Sequence, residues 1–318
     1  MVDKEIRVAT RALSRADLDV DSVERVTTDG EPVFRAETDA GPRYAKLLHD
    51  WKGAALAEVV DYTVEIGLPS PRLVQTERYV LVTEPAPGWP LSTTLPVYFL
   101  PFAWWVARRR GLATALRRVG ARLGRLHAVT SEGPRTPRDQ ECRISKRLHL
   151  DDRVRQRLEQ GQRQRIERRL EDVGNRRLPG CKIHGDPTPH NLFWSPRTGD
   201  IALIDFNLHS SVALEDVVVL EAGLELMTRR LPHGRRSQCV RLVNAFRAGY
   251  RETGLHDRLP ADALGALKLG YYCHLLEKVL NDATRGGVAE RITRVTDRPV
   301  IEQRIRSLAD GTTDASNT

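Results

Sequence analysis

Asp186, Asn191 and Asp205 are the residues whose types and spacing suit chemistry. The first two lie five residues apart in the run Cys181-Lys182-Ile183-His184-Gly185-Asp186-Pro187-Thr188-Pro189-His190-Asn191. Asp205 closes a short apolar run, residues 201–204, that reads as a strand. Between them, Ser195-Pro196-Arg197-Thr198-Gly199-Asp200 carries hairpin chemistry. A loop and a hairpin end then present two carboxylates and one amide to a common cleft. Such hard oxygen donors suit Mg²⁺, which takes one or two carboxylates and completes its shell with substrate phosphates. An acid at the same place can accept a proton from a hydroxyl. Taken alone, His-Gly-Asp would mean little, since Asp is also a common turn former.

The combination His184-Gly185-Asp186, Asn191 and Ile204-Asp205-Phe206 resembles the kinase catalytic loop and its metal-binding Asp-Phe. With His-Gly-Asp in place of His-Arg-Asp, it looks like the aminoglycoside phosphotransferase and choline kinase branch of the kinase-like superfamily. The resemblance implies ATP-dependent phosphorylation of a hydroxyl. Asp186 would take the hydroxyl proton or orient the oxygen, and Asn191 and Asp205 would hold Mg²⁺ across the phosphates. Asp216 resembles the aspartate that ties such a catalytic loop from below. Some similarity extends to lipopolysaccharide core kinases.

The same resemblance assigns residues upstream. A lysine inside a strand is usually part of a solvent face, but Lys46 in Tyr44-Ala45-Lys46 resembles the lysine that holds the nucleotide phosphates. Its carboxylate partner is Glu58, with Asp61 and Glu65 as rivals. Glu58 lies ten residues before Leu68-Pro69, about the distance the family shows. Thr83-Glu84-Pro85-Ala86-Pro87-Gly88 resembles the hinge that reads adenine. Pro85 and Pro87 have no N–H, which leaves the Glu84 carbonyl and the Ala86 N–H for the purine edge, with Thr83 flanking the base. The turn around Thr28-Asp29-Gly30-Glu31 would cover the phosphates, without a Gly-x-Gly-x-x-Gly run.

These residues need a scaffold, and the pattern supplies one. A helix within residues 1–20 precedes strands at 23–27, 33–38 and 43–48, separated by Asp29-Gly30 and Asp39-Ala40-Gly41-Pro42. A helix at 54–66 and strands at 73–74 and 79–83 complete a five-stranded unit. Leu112, Leu116, Val119, Leu123 and Leu126 step along an amphipathic helix with arginines outside, ending at His127, a satisfied helix-end residue. Further helices are expected at 214–227, 238–253 and 261–281. The expected fold is α+β and two-lobed, protein-kinase-like, with a small antiparallel-sheet N-lobe (1–83), a hinge (84–88) and a mainly helical C-lobe (89–318) ending in a disordered tail at 311–318.

Composition limits the partners. The 318 residues carry a net charge of +8, and 40% are hydrophobic, as in a soluble globular protein. Cys142, Cys181, Cys239 and Cys273 lie far apart without Cys-x-x-Cys and read as reduced thiols of a cytoplasmic protein. The positive balance favours anionic partners. Nucleic acid is not expected, because the basic stretch 134–180 lacks aromatic interleaving and any known reading motif. Arg229, Arg230, Arg235, Arg236 and Arg241 make polycationic aminoglycosides a poor match by repulsion. Residues 97–110 set aromatics beside Arg108-Arg109-Arg110. They read as a helix buried in the C-lobe, an acceptor lid, or a peripheral contact with an anionic inner-membrane face. Two alternatives to a small-molecule kinase remain: a kinase of a membrane-linked glycan, and a non-catalytic nucleotide-binding scaffold, the latter opposed by the retention of Lys46, Asp186, Asn191 and Asp205.

Overall fold

In the strand Val33–Thr38 (β2), Phe34 and Ala36 are fully buried while Arg35 faces out. This alternation sets the register of a five-stranded antiparallel sheet in the computed structural model. Its strands are Val20–Arg25 (β1), β2, Arg43–Leu47 (β3), Arg72–Gln75 (β4) and Tyr79–Thr83 (β5), in the order β1-β2-β3-β5-β4. The helix Val2–Arg15 (α1) covers one face. Its Val8, Ala9, Ala12 and Leu13 pack on Phe34, Ala45, Leu47, Val80 and Val82. Each fully buried Leu or Phe of this kind contributes about 2 kcal/mol.

The structure describes residues 2–27, 31–59, 71–98, 111–139, 142–229, 236–254, 260–281 and 288–310. Several expectations lie outside these residues: the turn at 28–30, Asp61, Glu65, Leu68-Pro69, the aromatic-basic segment 99–110 and the tail 311–318. The side chains of Arg229, Arg230, Arg235 and Arg236 lie outside them too.

Several boundaries move by one or two residues from the sequence reading, and two elements start three or four residues early. β1 runs from 20 to 25 instead of 23 to 27, because the Thr27 hydroxyl takes the Val33 N–H at 3.0 Å and donates to the Glu31 carbonyl at 3.2 Å. The next helix, Asp50–Ala57 (α2), starts four residues earlier than residue 54. Gly53 permits this: a Cβ there would lie 2.1 Å from the Tyr79 ring, so only glycine lets the helix settle on β5.

The larger lobe is built on Leu112–Val129 (α4), whose five stepped apolar residues are all essentially buried. It packs against Arg236–Arg251 (α8) at very short range. A Cβ on Gly120 would sit 2.0 Å from the Phe246 carbonyl oxygen, and one on Gly249 would sit 1.8 Å from that of Arg117. Around this pair lie Leu91–Tyr98 (α3), Asp152–Arg155 (α5), Gln160–Gly174 (α6), Leu214–Arg229 (α7), Ala261–Asn281 (α9) and Val288–Ala309 (α10). The helix α10 was not legible in its mostly polar sequence. Among its described side chains, Ile301, Ile305, Leu308 and Ala309 mark its inner face, and they join the core made by α6, α7 and α9.

Two small sheets carry the centre of the molecule. Glu132–Arg135 (β7), Leu178–Ile183 (β8) and His209–Val212 (β11) are ordered β11-β8-β7. Trp89–Pro90 (β6), Leu192–Trp194 (β9) and Ile201–Leu203 (β10) are ordered β10-β9-β6. The hairpin expected around residues 195–200 is β9–β10, with Leu192 opposite Leu203. All four cysteines are buried and outside any disulfide. No helix among the described residues is long and apolar enough to cross a membrane.

A buried charge cluster holds α7, α8, α9 and α10 together. Glu221 accepts from Arg247 at 2.6 and 2.8 Å and from Lys268 at 2.7 Å, while Glu225 accepts from Lys268 at 2.6 Å and Tyr272 at 2.8 Å and faces Arg304 at 3.2 Å. Burial alone would raise the Glu225 carboxyl, but the charges of Lys268 and Arg304 outweigh it and bring it from 4.5 to about 2. A depressed folded value gives stability that is complete above 4.5 and is lost as pH falls toward about 2. The size is about 3 kcal/mol. Denaturant melts between pH 5.5 and 3 should therefore fall off more steeply in wild type than in Glu225→Gln. Parallel slopes would show that another group controls the acid limb.

Candidate active site

The loop after β8 is held from beneath by one buried carboxylate. Asp216, in the first turn of α7, accepts the backbone N–H of His184 at 2.7 Å and of Gly185 at 2.9 Å. Its Oδ2 also meets Nε2 of His127, at the end of α4, at 3.0 Å, and the His127 Nδ1 meets the Tyr250 hydroxyl at 2.7 Å. Burial pushes the Asp216 carboxyl up, but the His127 contact and the Gly185 N–H prevail and hold it below its ordinary value. His127 is thus a satisfied residue of this support.

The loop itself is a tight fit. Gly185 has φ +85°, and a Cβ there would lie 2.8 Å from both the Asn207 carbonyl oxygen and the His209 ring. The His184 ring packs against Phe206 at a tilt of 39°, with centroids 4.1 Å apart. Burial lowers the His184 imidazole, and its Nδ1 accepts the Asp186 N–H at 3.3 Å. Two backbone bonds then sew the loop to the segment after β10: Ile204 N–H to the Asn191 carbonyl at 3.0 Å, and Asn207 N–H to the His184 carbonyl at 2.8 Å.

This brings the three residues singled out in the sequence together. Asn191 Nδ2 donates to the Asp186 carbonyl at 2.9 Å and to Asp186 Oδ2 at 3.0 Å. With Nδ2 committed to Asp186, the amide oxygen is the atom left for a cation. Asp205 adopts φ +60°, a left-handed conformation uncommon outside glycine. Its carboxylate bonds to the Lys46 ammonium from β3, across the cleft. Burial raises the Asp205 carboxyl, but the Lys46 charge and hydrogen bond overcome this and keep it below its ordinary value. The same pair, with Glu31, raises Lys46 against the opposing effect of burial. Both groups are therefore ionised near neutral pH.

One expected pair is not formed. Glu58 caps the C-terminal end of α2 with an exposed side chain and faces Lys182 at 3.4 Å. Lys46 is met instead by Glu31, from the connection between β1 and β2, at 2.9 Å. The physical reason is that α2 ends at Ala57, which turns Glu58 outward toward β8. Sequence reading also missed Lys52. This first-turn residue of α2 faces Glu31 at 3.0 Å and donates to the amide oxygen of Asn207. A basic residue shortly after β3 was the available signal.

Thr83, the last residue of β5, and Glu84 and Ala86 after it are half-buried. The Glu84 carboxylate faces Arg43 at 3.5 Å. Gly88, with φ +76°, lies against β9, where a Cβ would be 2.2 Å from the Trp194 carbonyl oxygen.

A family model described as the phosphotransferase enzyme family, APH, matches residues 15–220, which include Lys46, Asp186, Asn191, Asp205 and Asp216. The chain belongs to this phosphotransferase family. Solved structures share the fold of this phosphotransferase along nearly its whole length. An amicoumacin kinase, hAmiN, in complex with AMP-PNP, Ca²⁺ and Ami is 14% identical, with TM-score 0.58, covering 97% of this chain and 96% of that one. An aminoglycoside phosphotransferase APH(4)-Ia in ternary complex with AMP-PNP and hygromycin B is 16% identical, with TM-score 0.57 and coverage of 97% and 99%. The choline kinase LicA from Streptococcus pneumoniae is 14% identical, with TM-score 0.56 and coverage of 96% and 99%. No curated protein matches the chain. The phosphotransferase thus has the two-lobed, protein-kinase-like α+β fold, with a small antiparallel sheet in one lobe and mostly helices in the other.

The donor set bears on the metal such an enzyme would use. No group of three or more His, Cys, Asp or Glu capable of holding a metal occurs among the described residues. One ionised carboxylate and one amide oxygen fit a magnesium ion that completes its shell with phosphates and water, and do not fit a preformed zinc or calcium cage.

Proposed function

We propose that this phosphotransferase moves the γ-phosphoryl group of Mg·ATP to an alcohol on a small molecule. The observation that carries the reading is the convergence of Asp186, Asn191, Asp205 and Lys46 on one cleft between the lobes. Asp186 accepts the acceptor's hydroxyl proton or orients its oxygen, and Asn191 holds the Asp186 carboxylate in place. Asp205 and the Asn191 amide oxygen supply the metal donors. Bound there, a magnesium ion would neutralise charge on the transferring phosphates. Lys46 meets the phosphates from β3. The Glu84 carbonyl and the Ala86 N–H read the adenine edge, with Thr83 beside the base, so that residues 84–88 serve as a hinge between 1–83 and 89–318. Catalysis of this kind is mainly positioning and electrostatics.

The acceptor class follows from charge. The chain's net charge of +8 opposes a polycationic aminoglycoside and suits a sugar or an amino alcohol with little positive charge. Calorimetric titration with ATP, with and without Mg²⁺, tests the nucleotide half of the reading. Binding that needs Mg²⁺ and is weaker for GTP is expected; no binding of either nucleotide would overturn it.

A further inference from the structure

The two lysines on either side of Glu31 have a chemical logic that the phosphotransferase reading leaves unused. Glu31 Oε2 lies 2.9 Å from Lys46 Nζ and 3.0 Å from Lys52 Nζ, so both ammonium groups converge on a single oxygen. The three side chains are well covered, at 17%, 15% and 7% exposure for Lys46, Lys52 and Glu31. The other carboxylate oxygen takes the His49 backbone N–H at 3.4 Å. Two covered cations this close repel one another, and an anion between them is what makes the arrangement favourable.

The position of this cation pair within the cleft is fixed. Lys46 also holds Asp205, and Lys52 also holds Asn207, two residues further along. Both ammonium groups therefore stand beside the segment that supplies the metal donor, where a nucleotide's phosphates lie on the reading above. Phosphate oxygens have the shape and charge to bridge two ammonium groups that a carboxylate oxygen already bridges.

We propose that Lys52 is a second phosphate-binding residue and that the Glu31 carboxylate holds the seat on Lys46 and Lys52 that the phosphates of a nucleoside polyphosphate take. Glu31 thus competes with the nucleotide while keeping the two lysines together. The inference rests on the nucleotide reading of this cleft. It differs from an orienting role for Glu31, in which that carboxylate would assist nucleotide binding.

Calorimetry with Mg·ADP and with adenosine, on wild type, Lys52→Met, Lys52→Arg and Glu31→Gln, separates these roles. Losing one charged phosphate contact in Lys52→Met should weaken ADP about 10- to 100-fold and leave adenosine unchanged. Lys52→Arg should keep most of the affinity. Glu31→Gln should bind ADP several-fold tighter than wild type. It should also melt lower without ADP and gain more from it, since tighter binding to the folded state gives a larger thermal shift. ADP affinity unchanged in Lys52→Met, or no tighter in Glu31→Gln, would overturn the proposal. If Lys52→Met does not fold, the Glu31→Gln comparison decides alone. A wild type that binds neither ADP nor adenosine would instead bring down the nucleotide reading itself.

Discussion

Asp186→Asn is expected to lower kcat by about 10²- to 10⁴-fold, the usual worth of a positioned proton acceptor. The change keeps an oxygen in place of Oδ2 for the Asn191 Nδ2, so the 3.0 Å contact can persist and the loop keeps its shape. It removes only the charge and the basicity facing the acceptor. Affinity for Mg·ATP should stay within about twofold, since Asp186 faces the hydroxyl and not the base. Steady-state kinetics beside calorimetry check both halves. Near-normal turnover in a folded Asp186→Asn protein would remove this residue from the chemistry.

The second large effect belongs to Asp205. Asp205→Asn should lower Mg·ATP affinity about 100-fold. Any ATP binding that remains should be the same with and without Mg²⁺. Asparagine tolerates the φ of +60° that this position adopts, so the variant tests the charge and not the backbone. Without its bond to Asp205, Lys46 is left with Glu31 and can hold phosphates without metal help. Asn191→Ala should be milder, because it removes an uncharged donor. Equal Mg·ATP affinity in wild type and Asp205→Asn would show that the metal donors lie elsewhere.

Local signals made much of the site legible. Asp186, Asn191 and Asp205 are tied to one another by main-chain and side-chain bonds within 25 residues of sequence, and loop and hairpin chemistry are written in residue type and spacing. The Asp216 support was expected from the family resemblance, and the structure sets it in the first turn of the helix that follows. The five-stranded sheet followed from alternation and turn residues, and its order agrees with a meander extended by β5 and β4.

What was not legible depends on distance. The partner of Lys46 is set by where α2 stops and which way its last residue points, and a count back from Leu68-Pro69 carries neither fact. Glu31 sits among turn formers, and its composition says nothing of the two lysines it meets. Lys52 reads as one more surface cation until the fold sets it over Asn207. The helix α10 escaped because its described buried residues, Ile301, Ile305, Leu308 and Ala309, are few on a polar chain although they recur at helical spacing.

Phosphoryl transfer from Mg·ATP to an alcohol can be watched by ³¹P NMR. Wild type and Asp186→Asn would be incubated with Mg·ATP and a panel of sugars, amino alcohols and aminoglycosides. A new phosphomonoester resonance should appear with at least one sugar or amino alcohol, growing as ADP appears, and be absent on the same timescale with Asp186→Asn. ADP appearing with only inorganic phosphate across the whole panel, or an ester forming equally fast in the variant, would contradict it.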